Sequence, residues 1–218
     1  MKKVLVALGF ALAATGASAN IVSGGLTVTG ETLTAIEPTP GDDGWGGNGS
    51  TLQPANLYTS GYSGTLYANT DGVFTATYLG HVAGFANDYV NGLSLVMPGV
   101  NSGGSVGTSL SQSVTAGNIV NFSFQENGYN GFSTFANGQA NTNVQGFIFL
   151  DAAAWNGLYG TAYDFLIGYN DSAPVNADYD DYVVGVVNSV PVPAALPLMA
   201  SALGMFGLSR RKNKAKAV

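Results

Sequence analysis

The chain has 218 residues, a formal net charge of −6 and no cysteine. All thirteen Asp and Glu lie between Glu31 and Asp181, while the seven Lys and Arg are confined to Lys2, Lys3 and the segment from Arg210 to Lys216, so residues 20–209 carry acids and no Lys or Arg. This excludes a phosphate clamp or a nucleic-acid surface, which need cations, disfavours anionic substrates, and leaves divalent cations and neutral sugars as the ligands that suit the chain.

At the N-terminus, Lys2 and Lys3 precede an apolar run from Val4 to Ala14 and the small-residue exit Ala17-Ser18-Ala19. This predicts a secretory signal peptide over 1–19, cut before Asn20. Export permits disulfides, but none can form; a body of about 170 residues is long enough to bury a core without them.

The body, 20–189, alternates with a period of two. "GLTVTGETLTAI" (25–36), "VFTATYL" (73–79) and "NIVNFSFQE" (118–126) place apolar or aromatic residues on one face of a strand. "VQGFIFL", "YDFLIGY" and "DYVVGVV" are further β-rich runs. Asn-Gly pairs at Asn48, Asn91, Asn127, Asn130, Asn137 and Asn156, and Asp-Gly pairs at Asp43 and Asp71, supply the positive φ of tight turns. Short strands, frequent turns and no amphipathic helix predict an all-β fold, a β-sandwich of jelly-roll type. The segment from Glu37 to Pro54 reads as a long loop.

Few residues carry chemistry. His81 is the sole histidine, so a Ser-His-Asp triad would have to use it, with Asp88 as a nearby partner. A catalytic zinc site, commonly built on His or Cys, has no ligand set here. Paired carboxylates for glycoside hydrolysis would draw on Glu126 and the late Asp cluster, Asp180 included. Trp45, among glycines beside Asp42 and Asp43, is the candidate sugar-stacking residue. Trp155 reads as a packing residue. The richest stretch is "YDFLIGYNDSAPVNADYDDYVVGVV" (163–187), whose loop offers Asn170, Asp171, Asp178, Asp180 and Asp181 as oxygen ligands for Ca²⁺. It is not an EF-hand: counted from Asp178, position 6 is Val183 and position 12 is Ser189. Strand alternation would send Asp178 and Asp180 to one face and Asp181 to the other.

The C-terminus follows a different rule. "VPVPAALPL" opens it, from Val190; an apolar run continues to Ser209, and a basic tail begins at Arg210. The sixteen residues from Ala194 to Ser209 would rise about 24 Å as a helix, and the preceding residues bring this close to the thickness of a hydrocarbon core. A single transmembrane helix with a cytoplasmic tail is expected by the positive-inside rule.

The proline motif Val190-Pro191-Val192-Pro193-Ala194, the apolar helix and the terminal "RRK" together resemble the PEP-CTERM class of sorting signals, closest to the variant written VPLPA. Val192 stands where the parent motif has Glu. The resemblance covers 190–218 and implies an exported protein of a Gram-negative bacterium. It implies transient anchoring in the inner membrane, handling by an exosortase-type membrane transpeptidase, and sorting to the cell surface or outside. "D-x-D-(D/N)" before a Val-rich strand also resembles an acidic hairpin found near the end of many such proteins. The expectation is a non-enzymatic structural or adhesive protein of the exopolysaccharide layer. The alternatives are a carbohydrate-binding module of that layer and a glycoside hydrolase.

Overall fold

The structure, a computed structural model, describes residues 20–36, 57–81, 86–92, 95–99, 103–128, 131–142, 145–171, 178–190, 199, 201–203 and 205. Among them the chain forms twelve strands and one short helix. In order these are β1 (Ile21–Ser23), β2 (Leu26–Ala35), β3 (Ser60–Ala68), β4 (Gly72–Gly80), β5 (Ala86–Asn91), β6 (Leu95–Pro98), β7 (Ser109–Val114), β8 (Phe122–Gly128), β9 (Gly131–Ala136), β10 (Gly146–Asp151), α1 (Ala153–Tyr159), β11 (Phe165–Asn170) and β12 (Tyr182–Ser189). All pairings are antiparallel. One sheet has eight strands in the order β1-β2-β3-β10-β11-β12-β4-β7, the other four in the order β6-β5-β8-β9.

An aromatic core joins the two sheets. Phe74 and Tyr78 of β4, Phe147 of β10 and Tyr169 of β11 bury their rings with Tyr89 of β5 and Phe124 of β8. Phe124 stacks on Tyr169 at 4.7 Å with planes 5° apart, so this pair ties the small sheet to the large one. Each fully buried side chain of this kind contributes about 1.5–3 kcal/mol in transfer free energy.

The middle of the large sheet is covered on its other face too. Ile148, Leu150, Leu166 and Val183 point away from the aromatic core and meet Trp155 of α1 and the ring of Tyr179. Strands buried on both faces need apolar residues at every position, which is why "GFIFL" and "YVVGVV" read as unbroken apolar runs. Trp155 is buried and packs as the sequence suggests.

The expected absence of helix is corrected at α1. Asn156-Gly157, read as a turn, lies inside this seven-residue helix. The Asn156 side chain instead holds the exit: its Oδ1 accepts from Tyr163 N at 2.9 Å and its Nδ2 donates to Tyr163 O at 2.7 Å. Gly160, at φ 68°, ends the helix. Other Asn-Gly pairs do turn the chain, with Gly92 at φ 66° and Gly138 at φ 92°. Of the C-terminal segment, Met199, residues 201–203 and Met205 are helical. Among the described residues no helix is long and apolar enough to cross a membrane. The signal-peptide residues 1–19, the loop with Asp42, Asp43, Trp45 and Asn48, and the motif residues Pro191, Val192, Pro193 and Ala194 lie outside the described residues. Val190 is exposed just after β12.

Candidate metal centre

β11 and β12 pair from Phe165↔Val186 to Tyr169↔Tyr182. The chain therefore leaves β11 at Asn170 and returns to β12 from Asp181, and both ends of this connection sit against the small sheet. The backbone N–H of Asp171 donates to Asp181 Oδ2 at 2.7 Å, closing the neck of the loop. Tyr182 OH donates to Met97 O of β6 at 2.7 Å, and Gly99 N donates to Asn87 O of β5 at 3.0 Å. A side chain at Gly99 would strike Asn87 O and the Tyr182 ring, so only glycine lets the small sheet approach this closely.

Asp178, Asp180 and Asp181 converge here. One carboxylate oxygen from each lies within 4.8 Å of the others, all three residues are buried, and the group can hold a metal ion. Strand alternation is not obeyed, because residues 178–181 precede β12 and Tyr179 adopts φ 57°. This left-handed residue is uncommon for a side chain of its size and costs about 1–2 kcal/mol. It sends the Tyr179 ring into the apolar cluster beside Trp155 and frees its acidic neighbours to turn together.

Asp171 joins them. It is 1 % exposed, and its Oδ2 accepts from Nδ2 of Asn87, which also donates to Asp181 O at 3.3 Å. Burial raises the Asp171 pKa; the Asn87 and Asp181 hydrogen bonds oppose the rise, Glu126 adds to it, and His81 opposes it. Asp181 is pushed up to about 9, first by burial and then by the charge of Asp171, with Asp178 and Asp180 adding to it and the Asp171 N–H opposing. The Tyr169 phenol is raised by burial and by Asp171, Glu126 and Asp181. With no Lys or Arg in 20–209, the charge of this buried group is offset by protons, by His81 or by an external cation.

The other candidate residues fall into place around this centre. Asn170, the last residue of β11, is buried beside it. Glu126, on β8, is fully buried and directly opposite Asn87 in the β5–β8 register. Its Oε2 accepts from Gln145 Nε2 at 2.7 Å and Ser133 Oγ at 3.2 Å. Neither Glu126 nor Asp180 presents its carboxyl to solvent as a glycoside would require. His81 follows β4, and its Nδ1 lies 2.8 Å from Tyr78 OH. Asp88 instead accepts from Gly99 N at 3.3 Å. Gly103 to Gly107 reads G-G-S-V-G, the spacing of a nucleophile elbow. It forms an exposed turn before β7 and leads into no helix, so the strained strand-to-helix geometry of an elbow is missing.

Sequence reasoning also missed Asn87. Its signal was there: in "NDYVN" the inward positions of β5 are Asn87, Tyr89 and Asn91, and amides flanking a buried Tyr are out of place in an apolar face. Away from the centre, two shallow cavities of about 390 and 520 Å³ lie along β2 and β3. Hydroxyl and amide groups line them, including Thr29, Ser63, Thr65, Asn141 and Tyr67, and no charged residue does.

No protein-family model, curated protein or solved structure matches the chain. Its class rests on its own residues: an all-β protein of two antiparallel sheets with a buried carboxylate centre where the sheets meet.

Proposed function

We propose that this is an exported, Ca²⁺-stabilised β-sandwich protein with a structural or adhesive role at the cell surface. The observation that carries the reading is the convergence of Asp178, Asp180 and Asp181 in a body that holds no Lys or Arg. Hard oxygen donors suit Ca²⁺, whose shell at 2.3–2.6 Å is about 5 Å across. Ligand atoms spread over as much as 4.8 Å fit that shell as they stand. A Mg²⁺ shell, about 4.2 Å across, asks for contraction and a strict octahedron. Outside a cell Ca²⁺ is the divalent cation at hand, and a folded state that needs it holds together only after export. The terminal signals support the same address: a leader at the N-terminus and a proline motif, apolar helix and basic tail for an exosortase-type transpeptidase.

The test is a thermal melt of the full chain with Ca²⁺, Mg²⁺ or chelator at fixed ionic strength. At free Ca²⁺ about 100 times the dissociation constant, binding adds about 2.7 kcal/mol, or roughly 5–10 °C for a domain of this size. Equal melting temperatures with Ca²⁺ and with chelator would remove the reading. Processing is checked separately: surface-released protein should end near Pro193, and peptides spanning Leu203 to Lys212 in it would exclude the sorting step.

A carbohydrate-binding role is the second reading, and the groove along β2 and β3 is the observation that favours it. Neutral hydroxyl and amide side chains with one aromatic face, Tyr67, match a neutral saccharide better than any charged ligand. Binding on an array of neutral glycans, lost in Tyr67→Ala, would support it; no binding on that array would discard it.

A further inference from the structure

We propose that Ser133 and Gln145 join through an ester bond that the folded chain makes for itself, with Glu126 carrying the proton. The bond fastens β9 of the small sheet to the start of β10 in the large one. It goes beyond the cation reading and does not depend on it.

The three side chains meet because two sheets bring them together. Glu126 and Ser133 are direct partners in the β8–β9 register, so their side chains leave the small sheet on the same face. That face points into the sandwich. Glu126 is fully buried, and Phe135, two residues beyond Ser133, meets Phe147 of β10 edge-on at 5.6 Å. Gln145 stands immediately before β10. Its backbone is braced by Thr142: Gln145 N donates to Thr142 Oγ1 at 2.9 Å, and Gln145 O accepts from Thr142 N at 2.8 Å. Asn141 in turn spans Phe147 N and O at 3.1 and 2.9 Å. The amide of Gln145 is thus presented from a fixed backbone, as a reacting group must be.

The contacts among the three close a triangle. Ser133 Oγ donates to Glu126 Oε2 at 3.2 Å, Gln145 Nε2 donates to the same oxygen at 2.7 Å, and Nε2 also donates to Ser133 Oγ at 2.6 Å. A hydroxyl within reach of a carboxylate base, and an acyl group against that hydroxyl, are the parts of an acyl transfer. The first two contacts satisfy Glu126; the third sets the nucleophile on the amide. The carbonyl carbon, Cδ, is one bond beyond Nε2, so a small rotation of the amide brings it to the roughly 3–3.5 Å from which attack proceeds. Glu126 takes the hydroxyl proton as Oγ bonds to Cδ. The same carboxylate oxygen, already on Nε2, returns that proton as the Cδ–Nε2 bond breaks. Ammonia leaves, an ester remains, and Glu126 ends as it began. The composition leaves few other covalent ties. The chain has no Cys and residues 20–209 hold no Lys, so neither a disulfide nor a Lys–carboxyl amide can lock the two sheets.

The experiment is mass spectrometry of the folded full chain, digested with pepsin in acid, where an ester survives. The expected product is a peptide pair linking 133 to 145 after cleavage between them, about 17 Da lighter than the two parts for the ammonia lost. Asn-Gly pairs can lose ammonia too, so the assignment rests on the linked pair and on its fragments. Alkaline hydroxylamine should separate the pair. Ser133→Ala should abolish the link, and Glu126→Gln, which keeps the shape and removes the base, should do the same. Should Glu126→Gln fail to fold, the wild type and Ser133→Ala still decide. Wild-type chain in which 133 and 145 are found only in separate peptides of full mass overturns the proposal, as does a link that persists in Ser133→Ala. A link formed undiminished in folded Glu126→Gln overturns the part given to Glu126.

Discussion

The β11–β12 pair carries a polar centre at each end, and the two are built on opposite terms. At one end a single carboxylate, Asp164, is met by protein donors: Asn188 N donates to its Oδ2 at 2.8 Å. Around it, Asp164 N donates to Val186 O at 2.8 Å and the Asn188 amide reaches Thr70 O at 3.3 Å. At the other end Asp178, Asp180 and Asp181 converge beside the buried Asp171, with the Asn87 amide donating to Asp171 and the Asp171 N–H to Asp181. The strands are the same; the number of carboxylates brought together and the depth of their burial differ. A single half-buried carboxylate is held by the backbone donor it meets, whereas several buried carboxylates in one place favour protons or a cation that offsets their mutual repulsion.

The largest effect is expected at the self-sufficient end. Gly24 sits at φ 55°, and a Cβ there would lie 1.7 Å from Asp164 Oδ1. Gly24→Ala combines backbone strain with overpacking of the Asp164 network and should cost about 2–4 kcal/mol. Because no cation serves that end, the loss should be the same with Ca²⁺ and with chelator. Chemical denaturation in both conditions measures it, and a Ca²⁺-dependent difference would break the contrast between the two ends.

At the acidic end the sign of a mutation should depend on the cation. The double variant Asp180→Asn with Asp181→Asn removes two ligands, so the Ca²⁺ increment of about 2.7 kcal/mol expected at saturating ion should vanish. In chelator the same changes remove the cost of keeping a buried carboxyl protonated well above its ordinary range, so the variant should melt above the wild type. Thermal melts of both proteins in both buffers test this. A variant less stable than wild type in chelator would show that these carboxylates are needed for reasons other than an ion.

A pH profile sharpens the same point. The folded-state pKa of Asp181, about 9, lies above the ordinary carboxylate value, and Asp171 is raised in the same direction. The folded ion-free protein therefore holds protons that the unfolded chain releases. The stability this confers is present below about pH 4 and is lost as pH rises toward 9, at up to about 1.4 kcal/mol per pH unit for each proton. A bound cation takes the place of those protons, so saturating Ca²⁺ should flatten the profile and its affinity should climb with pH. Denaturation at pH 5, 7 and 9 separates the two curves.

The sequence made the strand content plain where alternation is clean, as in β2, β4 and β8, and where burial on both faces leaves unbroken apolar runs, as in β10 and β12. It was blind to β3, whose "SGYSGTLYA" looks like a loop because glycines stand where Ile148 and Leu150 press against the strand at Gly61. It was blind to α1 because seven residues make no periodicity, and tertiary packing of Trp155 with the Asn156 and Asp151 side-chain bonds holds that turn of helix in place. At the candidate site the acidic residues were legible by density, whereas their convergence was not. It depends on Tyr179 in a left-handed conformation, which no side chain of that type advertises, and on Asn87, some eighty positions away on the other sheet. A loop's own residues can announce a ligand set; the strand of the other sheet that packs against it is set by topology.

The smallest expected effect returns to Asp164. Its carboxyl is only partly shielded, and its pKa is raised by burial against the opposing hydrogen bond from Asn188 N. A raised carboxyl pKa means that the negative charge is slightly unfavourable in the folded state. Its contribution is present below the ordinary value and is lost as pH rises through the folded one. Asp164→Asn keeps an oxygen to accept from Asn188 N and removes the charge, so the lost charge-assisted strength and the relieved desolvation oppose each other. The net change should stay under about 1 kcal/mol, be indifferent to Ca²⁺, and abolish whatever pH dependence this end contributes. Denaturation of Asp164→Asn at pH 4 and pH 8 checks it. A loss of several kcal/mol would mean that the charge itself organises this end, and the two ends of the hairpin would then differ in the source of their counter-ion rather than in their need for one.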